Sequence, residues 1–232
     1  MDSGIDFDLV FVDKAREQRE RVRITKAVVG GWTARDQDGL RHHIEELVKI
    51  GVPRPEKTPL FYRVSARRLT TDNAIEVLGD GSSGEAEWVM LKYGGRLWVG
   101  AGSDHTDRKI ETQGISMAKQ ICDKPIAPRF WPYDEVADHW EQIELSSEII
   151  INGNRQLYQK GLVAGLLAPE TLLSLYRQDE GEMADGTLLF GGTMAAIGGV
   201  RPADHFIFTM RDPVLNREIT HAYVIRVLPN RG

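Results

Sequence analysis

Short segments of the chain alternate between apolar and polar residues or are apolar throughout, and both patterns are typical of β-strands. The segments that fit these patterns cover residues 5–12, 21–29, 60–64, 74–78, 85–93, 96–101, 143–151, 188–193, 205–210 and 218–228. Two of the intervening turns, at Gly94–Gly95 and Asn152–Gly153, carry residues that favour tight hairpins. The pattern therefore predicts a chain built mostly from β-strands.

Two longer segments have apolar residues at helical spacing. Residues 36–50 form the first predicted helix, which Gly51 ends, and residues 161–177 form the second. Three other stretches predict less regular structure: a hairpin connection or exposed extension over the polar residues 14–21, partly helical structure over residues 105–119, and a rigid loop over the proline-rich residues 125–132. The prediction is a mostly β protein with a few helices, of the α+β class.

Composition indicates the number of domains, the kinds of partner and the compartment of the protein, but it does not indicate a function. The 232 residues suffice for one domain, so we predict a single domain over residues 1–232, with the strands of residues 1–30 as a small accessory segment. A net charge of -5 argues against nucleic acid or an anionic membrane as the main partner. The lone Cys122 fits a reducing compartment, and no apolar run approaches membrane-spanning length. We therefore expect a cytoplasmic protein that neither crosses nor binds a membrane.

Two carboxylates interrupt an otherwise apolar predicted strand. Glu85 and Glu87 share a face with Val89 and Leu91, because side chains on a strand alternate between its two faces. Desolvation and mutual repulsion both oppose the ionisation of two such carboxylates, and a divalent cation would relieve both. Asp104 follows the next predicted strand and can supply a third oxygen ligand. The sequence thus predicts a metal site at Glu85, Glu87 and Asp104.

Other interpretations of these residues remain open from the sequence. Glu85 and Glu87 could lie on a solvated edge while Asp104 merely caps a helix. His105 and Asp107 offer alternative ligands, but if Asp104 begins a helix, His105 projects away from the site and faces solvent or a more distant shell. The apolar neighbours of the two glutamates favour the metal site.

Several separated motifs resemble the fumarylacetoacetate hydrolase family. These motifs are Glu85-Ala86-Glu87, Asp104 with Arg108 four residues later, Lys119, Ile151-Asn152-Gly153 with Gln156, Gly192-Thr193, and a His-x-x-Glu pair at His43 and Glu46. Each motif is common alone, and their order along the chain carries the resemblance. The resemblance implies a rolled, mixed β-sheet domain that forms a homodimer.

The resemblance also implies a role for each matching residue. Glu85, Glu87 and Asp104 would bind Mg²⁺, with Mn²⁺ or Ca²⁺ as alternatives. Arg108 and Thr193 would bind substrate, and Lys119 would offset the negative charge of the reacting group. His43 and Glu46 would activate a water molecule, although His42 and Glu45 offer the same spacing.

The function expected from the resemblance is cleavage of a C–C bond in a small 2-oxo acid or diketo acid. The reaction would be a hydrolysis or a decarboxylation that proceeds through a metal-stabilised enolate. Two alternatives remain: a hydratase or tautomerase of oxo acids, and a non-catalytic metabolite-binding protein on the same scaffold.

Overall fold

The computed structural model describes residues 4–14, 16–49, 51 and 53–231, except for the side chains of His43 and Leu47. Its strands, in chain order, are β1 (Ile5–Asp13), β2 (Arg16–Ile24), β3 (Lys26–Gly31), β4 (Leu60–Val64), β5 (Leu69–Thr70), β6 (Ala74–Leu78), β7 (Ser82–Ser83), β8 (Ala86–Tyr93), β9 (Arg96–Ser103), β10 (Thr106–Asp107), β11 (Lys124–Pro125), β12 (Arg129–Pro132), β13 (Glu144–Ile151), β14 (Asn154–Leu162), β15 (Thr187–Thr193), β16 (His205–Asp212) and β17 (Arg217–Leu228). Its helices are α1 (Gln37–Lys49), α2 (Arg108–Glu111), α3 (Ile115–Gln120), α4 (Tyr133–Val136) and α5 (Pro169–Glu180), with 3-10 turns at Ala66–Arg68, Ala137–Gln142 and Val163–Gly165.

The strands form two large sheets, which confirms the mostly β, α+β prediction. Eight strands make the larger sheet in the order β2-β1-β12-β9-β8-β15-β3-β4, and five make the second in the order β14-β13-β16-β17-β6. Two short pairs, β10 with β7 and β11 with β5, lie outside these sheets. The larger sheet is mixed, because β1 runs parallel to β12 and β15 runs parallel to β3.

Strand β8 lies in the middle of the larger sheet and is buried on both faces. Its side chains Ala86, Trp88 and Met90 belong to one hydrophobic cluster, whereas Val89 and Leu91 belong to another. The period-2 alternation of the strand separates these two sets. The sheet therefore runs between two cores, and the Glu87 side chain on β8 is almost entirely removed from water.

Both hairpins predicted from turn residues are present. Gly94 and Gly95 have φ angles of 60° and 73° and connect β8 to β9. Asn152 and Gly153 have φ angles of 51° and 77° and connect β13 to β14. Positive φ at both central residues is what a two-residue hairpin of this kind requires.

The predicted helix over residues 161–177 is wrong in its first half. The structure continues β14 to Leu162, makes a 3-10 turn, and begins α5 only at Pro169. Proline is favoured in the first turn of a helix and disfavoured inside one, so Pro169 marks the start of the helix rather than its middle. The helical spacing of the leucines before it is coincidental, since Leu162 is exposed at the end of a strand.

Two segments predicted as a connection or a loop belong to strands. Most of the predicted connection over residues 14–21 joins residues 22–24 of the predicted strand to form Arg16–Ile24, which pairs with β1 along its whole length as the edge strand of the larger sheet, where mostly polar side chains are tolerated. Arg129–Pro132 lies between β1 and β9, although prolines on either side disguise it as a loop. Pro132 is compatible with the sheet because it is the last residue of its strand.

Within the residues that the structure describes, no helix combines the length and the apolar composition needed to span a membrane.

The close approach of β15 to Trp88 gives a test of the packing. A Cβ at Gly191 would lie 2.0 Å from Cε2 of Trp88, which is fully buried. We predict that Gly191→Ala lowers the free energy of unfolding by about 1–3 kcal/mol or more, because the core must shift to admit the methyl group. Denaturant unfolding measures this loss. Gly165→Ala is the matched control, since its Cβ meets nothing within 4 Å, and an equal loss in both variants would contradict the packing described here.

Candidate metal centre

Three carboxylates meet at one end of the β8–β9 hairpin. Glu85 directly precedes β8, Glu87 is its second residue, and Asp104 directly follows β9. Glu87 pairs with Gly102 across the hairpin, and the Asp104 amide donates a 3.0 Å hydrogen bond to the Glu85 carbonyl oxygen. One carboxylate oxygen from each residue lies within 4.8 Å of the other two. We call Glu85, Glu87 and Asp104 the carboxylate cluster.

A bulge in β15 holds one oxygen of Glu87. The pairing of β15 with β8 shifts register between Phe190 and Thr193, and Gly192 within the bulge has a φ of 112°. Its N–H thereby points at Glu87 and donates a 2.7 Å hydrogen bond to Oε2. Bulges commonly redirect a backbone group in this way, and glycine tolerates the positive φ.

Two lysines face Asp104, which is fully buried. The Lys119 ammonium of α3 donates to Oδ2, and the Lys124 ammonium of β11 lies 3.4 Å from Oδ1. Lys124 directs hydrogen bonds to the carbonyl oxygens of His105 and Cys122 instead, at 2.6 and 3.2 Å. Oδ1 therefore makes no hydrogen bond although it is shielded from water.

Arg108 joins the cluster to the start of α2. Its guanidinium lies 3.0 Å from Glu85 Oε1 and donates to Glu111 Oε2 at 3.0 Å and to Ser83 Oγ at 2.8 Å. Asp107 caps α2 by accepting from the Lys109 and Ile110 amides. The interpretation of Asp104 as a helix cap is thus wrong, because the helix begins three residues later than that reading requires.

His105 is fully buried behind Asp104, so of the two expected positions it takes the more distant shell and not the solvent-facing one. Its Nδ1 lies 2.9 Å from the Tyr223 hydroxyl and its Nε2 lies 2.9 Å from Ser82 Oγ. Burial, with Lys124 and Arg108 nearby, lowers its pKa to about 3. His105 is therefore a neutral ring that packs behind Asp104, and neither it nor Asp107 belongs to the carboxylate cluster.

Burial and charge act in opposite directions within the cluster. Burial raises the pKa of Glu85 and Glu87, and for Glu87 the neighbouring Asp104 raises it further. Burial also opposes the ionisation of Asp104, but Lys119 and Lys124 prevail and lower its pKa. Burial would lower the pKa of Lys119, yet Asp104 and Glu85 raise it. In this state Asp104 is a stable anion, whereas Glu85 and Glu87 resist ionisation.

A cavity of about 260 Å³ opens onto the cluster. Its polar part includes Glu85, Glu87, Arg108, Glu111, Lys119 and Thr193, and its less polar part includes Trp32, Leu40, Tyr62, Ile115 and Val200. The residues that line it come from β3, β4, β8, α1, α2, α3 and β15, together with the segments beside them. The larger sheet and its helices thus surround a space suited to a small ligand.

Of the other predicted site residues, Thr193 lines this cavity and Glu46 does not. The Thr193 hydroxyl lines it but donates to the Ala86 carbonyl oxygen and accepts from Gln159 Nε2, both at 2.8 Å. Glu46 is exposed on α1 and is absent from the described lining, to which α1 contributes Leu40. The side chain of His43 lies outside the described part of the chain, so its role stays a prediction.

Sequence reasoning missed three residues that shape the site. Glu111 follows Arg108 by three residues on a helix, and that spacing could have indicated an ion pair. Lys124 and Tyr62 gave no comparable signal. Each reaches the site through a contact between segments distant in the chain, and no local spacing encodes such a contact.

The donors present fit a hard divalent cation. Carboxylate oxygens are the ligands that Mg²⁺, Mn²⁺ and Ca²⁺ prefer. The buried, unbonded Oδ1 of Asp104 and the raised pKa of Glu87 are both features that a cation would relieve. Glu85, Glu87 and Asp104 are thus the residues that could hold the ion.

Solved structures that share this fold include a dehydratase and an isomerase. A candidate fumarylacetoacetate isomerase/hydrolase from Oleispira antarctica is 20% identical, with 94% of this chain and 99% of that chain covered and a TM-score of 0.66. A 2-keto-3-deoxy-D-arabinonate dehydratase complexed with magnesium and 2,5-dioxopentanoate is 14% identical, with 94% and 86% covered and a TM-score of 0.62. A 5-carboxymethyl-2-hydroxymuconate delta-isomerase from Mycobacterium smegmatis is 17% identical, with 91% and 82% covered and a TM-score of 0.58. The predicted fumarylacetoacetate hydrolase fold is confirmed.

Sequence comparison assigns the chain to one family. Residues 30–223 match the family described as "Protein of unknown function (DUF2848)", and the chain belongs to that family. No curated protein sequence matches it significantly.

The burial of Glu87 gives a prediction for the metal-free protein. We expect Glu87→Gln to raise the free energy of unfolding, because the amide keeps an acceptor for the Gly192 N–H and carries no buried charge. Each kcal/mol gained in this free energy should raise the melting temperature by roughly 2–4 °C. Calorimetric melting with a chelator present measures the change.

The sign of its pH dependence follows from the raised pKa. Ionised Glu87 destabilises the fold above its folded-state pKa, and this cost disappears below the ordinary value of 4.5. The advantage of Glu87→Gln should therefore grow as the pH rises from 4.5 toward neutral and vanish as the pH falls to 4.5. Glu56→Gln, at an exposed position, is the control, and an advantage that persists at acid pH would contradict the prediction.

Proposed function

We propose that this protein is a divalent-metal-dependent enzyme that cleaves a C–C bond in a small 2-oxo acid or diketo acid by hydrolysis or decarboxylation. The observation that carries the proposal is the carboxylate cluster at a cavity that also contains Lys119 and Arg108. An oxo acid presents adjacent carboxylate and carbonyl oxygens, which suit a site with a hard cation and buried positive charges. A protein of the same fold that holds magnesium and 2,5-dioxopentanoate, the 2-keto-3-deoxy-D-arabinonate dehydratase, supports it.

In this proposal the side chains of the cluster and those around it have different roles. Glu85, Glu87 and Asp104 would hold Mg²⁺, or Mn²⁺ or Ca²⁺ in its place, and the bound cation would supply positive charge that polarises a carbonyl group. Lys119 keeps its proton beside Asp104 and provides positive charge where a reacting carbonyl gains negative charge. Arg108 fixes the orientation of Glu85 through its own contact and is held in turn by Glu111 and Ser83.

We assign the activation of a water molecule to His43 with Glu46 on α1. Helix α1 borders the cavity through Leu40, one turn before His43 along the helix. A histidine near neutral pH can accept a proton from water, and a neighbouring carboxylate stabilises the cation that results. Deprotonation of water by this pair is the step that a hydrolysis requires.

Metal binding is the first test. We expect Mg²⁺ or Mn²⁺ to bind the wild-type protein in titration calorimetry, and oxalate to bind only after the metal. Glu87→Gln and Asp104→Asn should each lose metal binding, because each removes an anionic oxygen ligand. Glu76→Gln changes an exposed carboxylate elsewhere and should bind as the wild type does. A wild-type protein that binds no divalent cation would overturn the proposal.

Turnover separates an enzyme from a binding protein. A panel of 2-oxo and diketo acids, analysed by product, distinguishes C–C cleavage from hydration and tautomerisation. His43→Ala should lower kcat at least 100-fold while metal affinity stays unchanged, since general base catalysis contributes about 10²–10⁴-fold. His42→Ala and Glu45→Gln are the matched variants, and a larger effect there would move the role to that pair. Oxalate binding without any turnover would favour the metabolite-binding alternative.

A further inference from the structure

Two aromatic side chains form one side of the cavity, opposite in character to the carboxylate cluster. Trp32 follows β3 and Tyr62 is the middle residue of β4, and both line the cavity. Trp32 Nε1 donates a 2.9 Å hydrogen bond to the Tyr62 hydroxyl oxygen. We call this pair the aromatic wall.

The hydrogen bond within the aromatic wall orients the Tyr62 hydroxyl. An indole N–H can only donate, so the Tyr62 oxygen is the acceptor and its own hydrogen must point elsewhere. Among the residues that the structure describes, none accepts that hydrogen. Burial raises the pKa of Tyr62 above its ordinary value, so the hydroxyl keeps its hydrogen near neutral pH. A hydrogen-bond donor for which the described part of the chain offers no acceptor therefore lies at the cavity.

The local backbone is shaped to hold this pair in place. Trp32 has a φ of 62°, a left-handed conformation that costs free energy for a bulky residue and persists only where its surroundings enforce it. A Cβ on Gly31 would lie 2.6 Å from Cε2 of Tyr62, so the ring occupies space that only glycine leaves open. The Lys119 ammonium lies 5.7 Å from the centre of the same ring, which ties Tyr62 to the polar side of the cavity.

We propose that Tyr62 is a substrate-contacting hydrogen-bond donor, oriented by Trp32, that selects oxo acids with a second oxygen acceptor at the end remote from the carboxylate cluster. This inference rests on the proposed function, because it assumes that the oxo-acid end of the ligand lies at the cluster. A terminal carboxylate, carbonyl or hydroxyl group would accept the Tyr62 hydrogen, whereas a terminal methyl group would leave it unbonded. An unbonded polar group in a closed site costs affinity and so gives selectivity.

Length-matched ligands test the selection directly. The wild-type protein with Mg²⁺ is titrated with oxalate, and the oxalate is then displaced by 2-oxovalerate, 5-hydroxy-2-oxovalerate or 2-oxoglutarate, which differ only at the far end. The six-carbon pair of 2-oxohexanoate and 2-oxoadipate extends the series. We expect at least one oxygen-ended ligand to bind about tenfold or more tightly than its methyl-ended partner, as a hydrogen bond to a polar or charged acceptor allows. Comparing the affinities of the hydroxyl-ended and carboxylate-ended ligands shows whether the group that accepts the Tyr62 hydrogen must be charged.

Three variants separate a contact from a structural role. Tyr62→Phe should abolish the preference for the oxygen-ended ligand. The affinities for methyl-ended ligands and for Mg²⁺ should stay within about twofold of the wild-type values, and the melting temperature within a few degrees. Trp32→Phe keeps an aromatic ring but loses the orienting N–H, so the preference should shrink without disappearing. Tyr93→Phe is the control, because its hydroxyl bonds Glu20 away from the cavity.

The outcomes distinguish this inference from the proposed function. Failure to bind Mg²⁺ overturns both. Binding of Mg²⁺ and oxalate with no preference for oxygen-ended ligands, or a preference that survives Tyr62→Phe, overturns the role of Tyr62 and leaves the metal-dependent function standing. An equal loss for all ligands in Tyr62→Phe identifies a structural role and likewise overturns the inference.

Discussion

The antiparallel register of β8 and β9 is the constraint on which the site depends. Pairing Ala86 with Ser103 and Glu87 with Gly102 brings two carboxylates and Asp104 to the same end of one hairpin. The turn at Gly94 and Gly95 sets this register from the opposite end of the hairpin. Because strand side chains alternate, a slip by one residue would turn Glu87 to the face of Trp88 and reverse both cores. The position of the cluster and the packing of the larger sheet are thus fixed by the same pairing.

Charge balance is the second condition that the centre meets. Three carboxylates and the cationic side chains of Arg108, Lys119 and Lys124 are gathered in a region with little access to water. Such an arrangement stabilises a fold only weakly, because desolvation offsets much of the attraction between opposite charges. It is well suited to receiving an ion, since Glu87 is held in surroundings that oppose its ionisation and Oδ1 of Asp104 accepts no hydrogen bond. The chain retains an unfavourable local arrangement where a ligand can relieve it.

The sequence predicted local features of this protein better than long-range ones. Alternation around Glu87, the glycine turn at Gly94 and the helix that ends near Gly51 each depend on neighbouring residues, and all of them could be read directly. Arg129–Pro132 and the start of α5 at Pro169 could not, because proline favours loops, strand ends and helix starts alike. The three acidic residues were found through their burial and order, whereas Lys124 and Tyr62 enter the site only through pairing between distant segments.

Because the cluster lies in a sheet between two cores, a ligand bound there would change the stability of more than the site itself. Glu87 is held by strands on both sides, with β9 pairing along one edge of β8 and β15 along the other. Backbone amides here can exchange with solvent only when the sheet itself opens, so the site belongs to the most cooperative part of the fold rather than to a loop that fluctuates alone. The free energy of any ligand bound here would therefore add to the stability of the whole sheet. Slower hydrogen exchange on both flanking strands would be its signature.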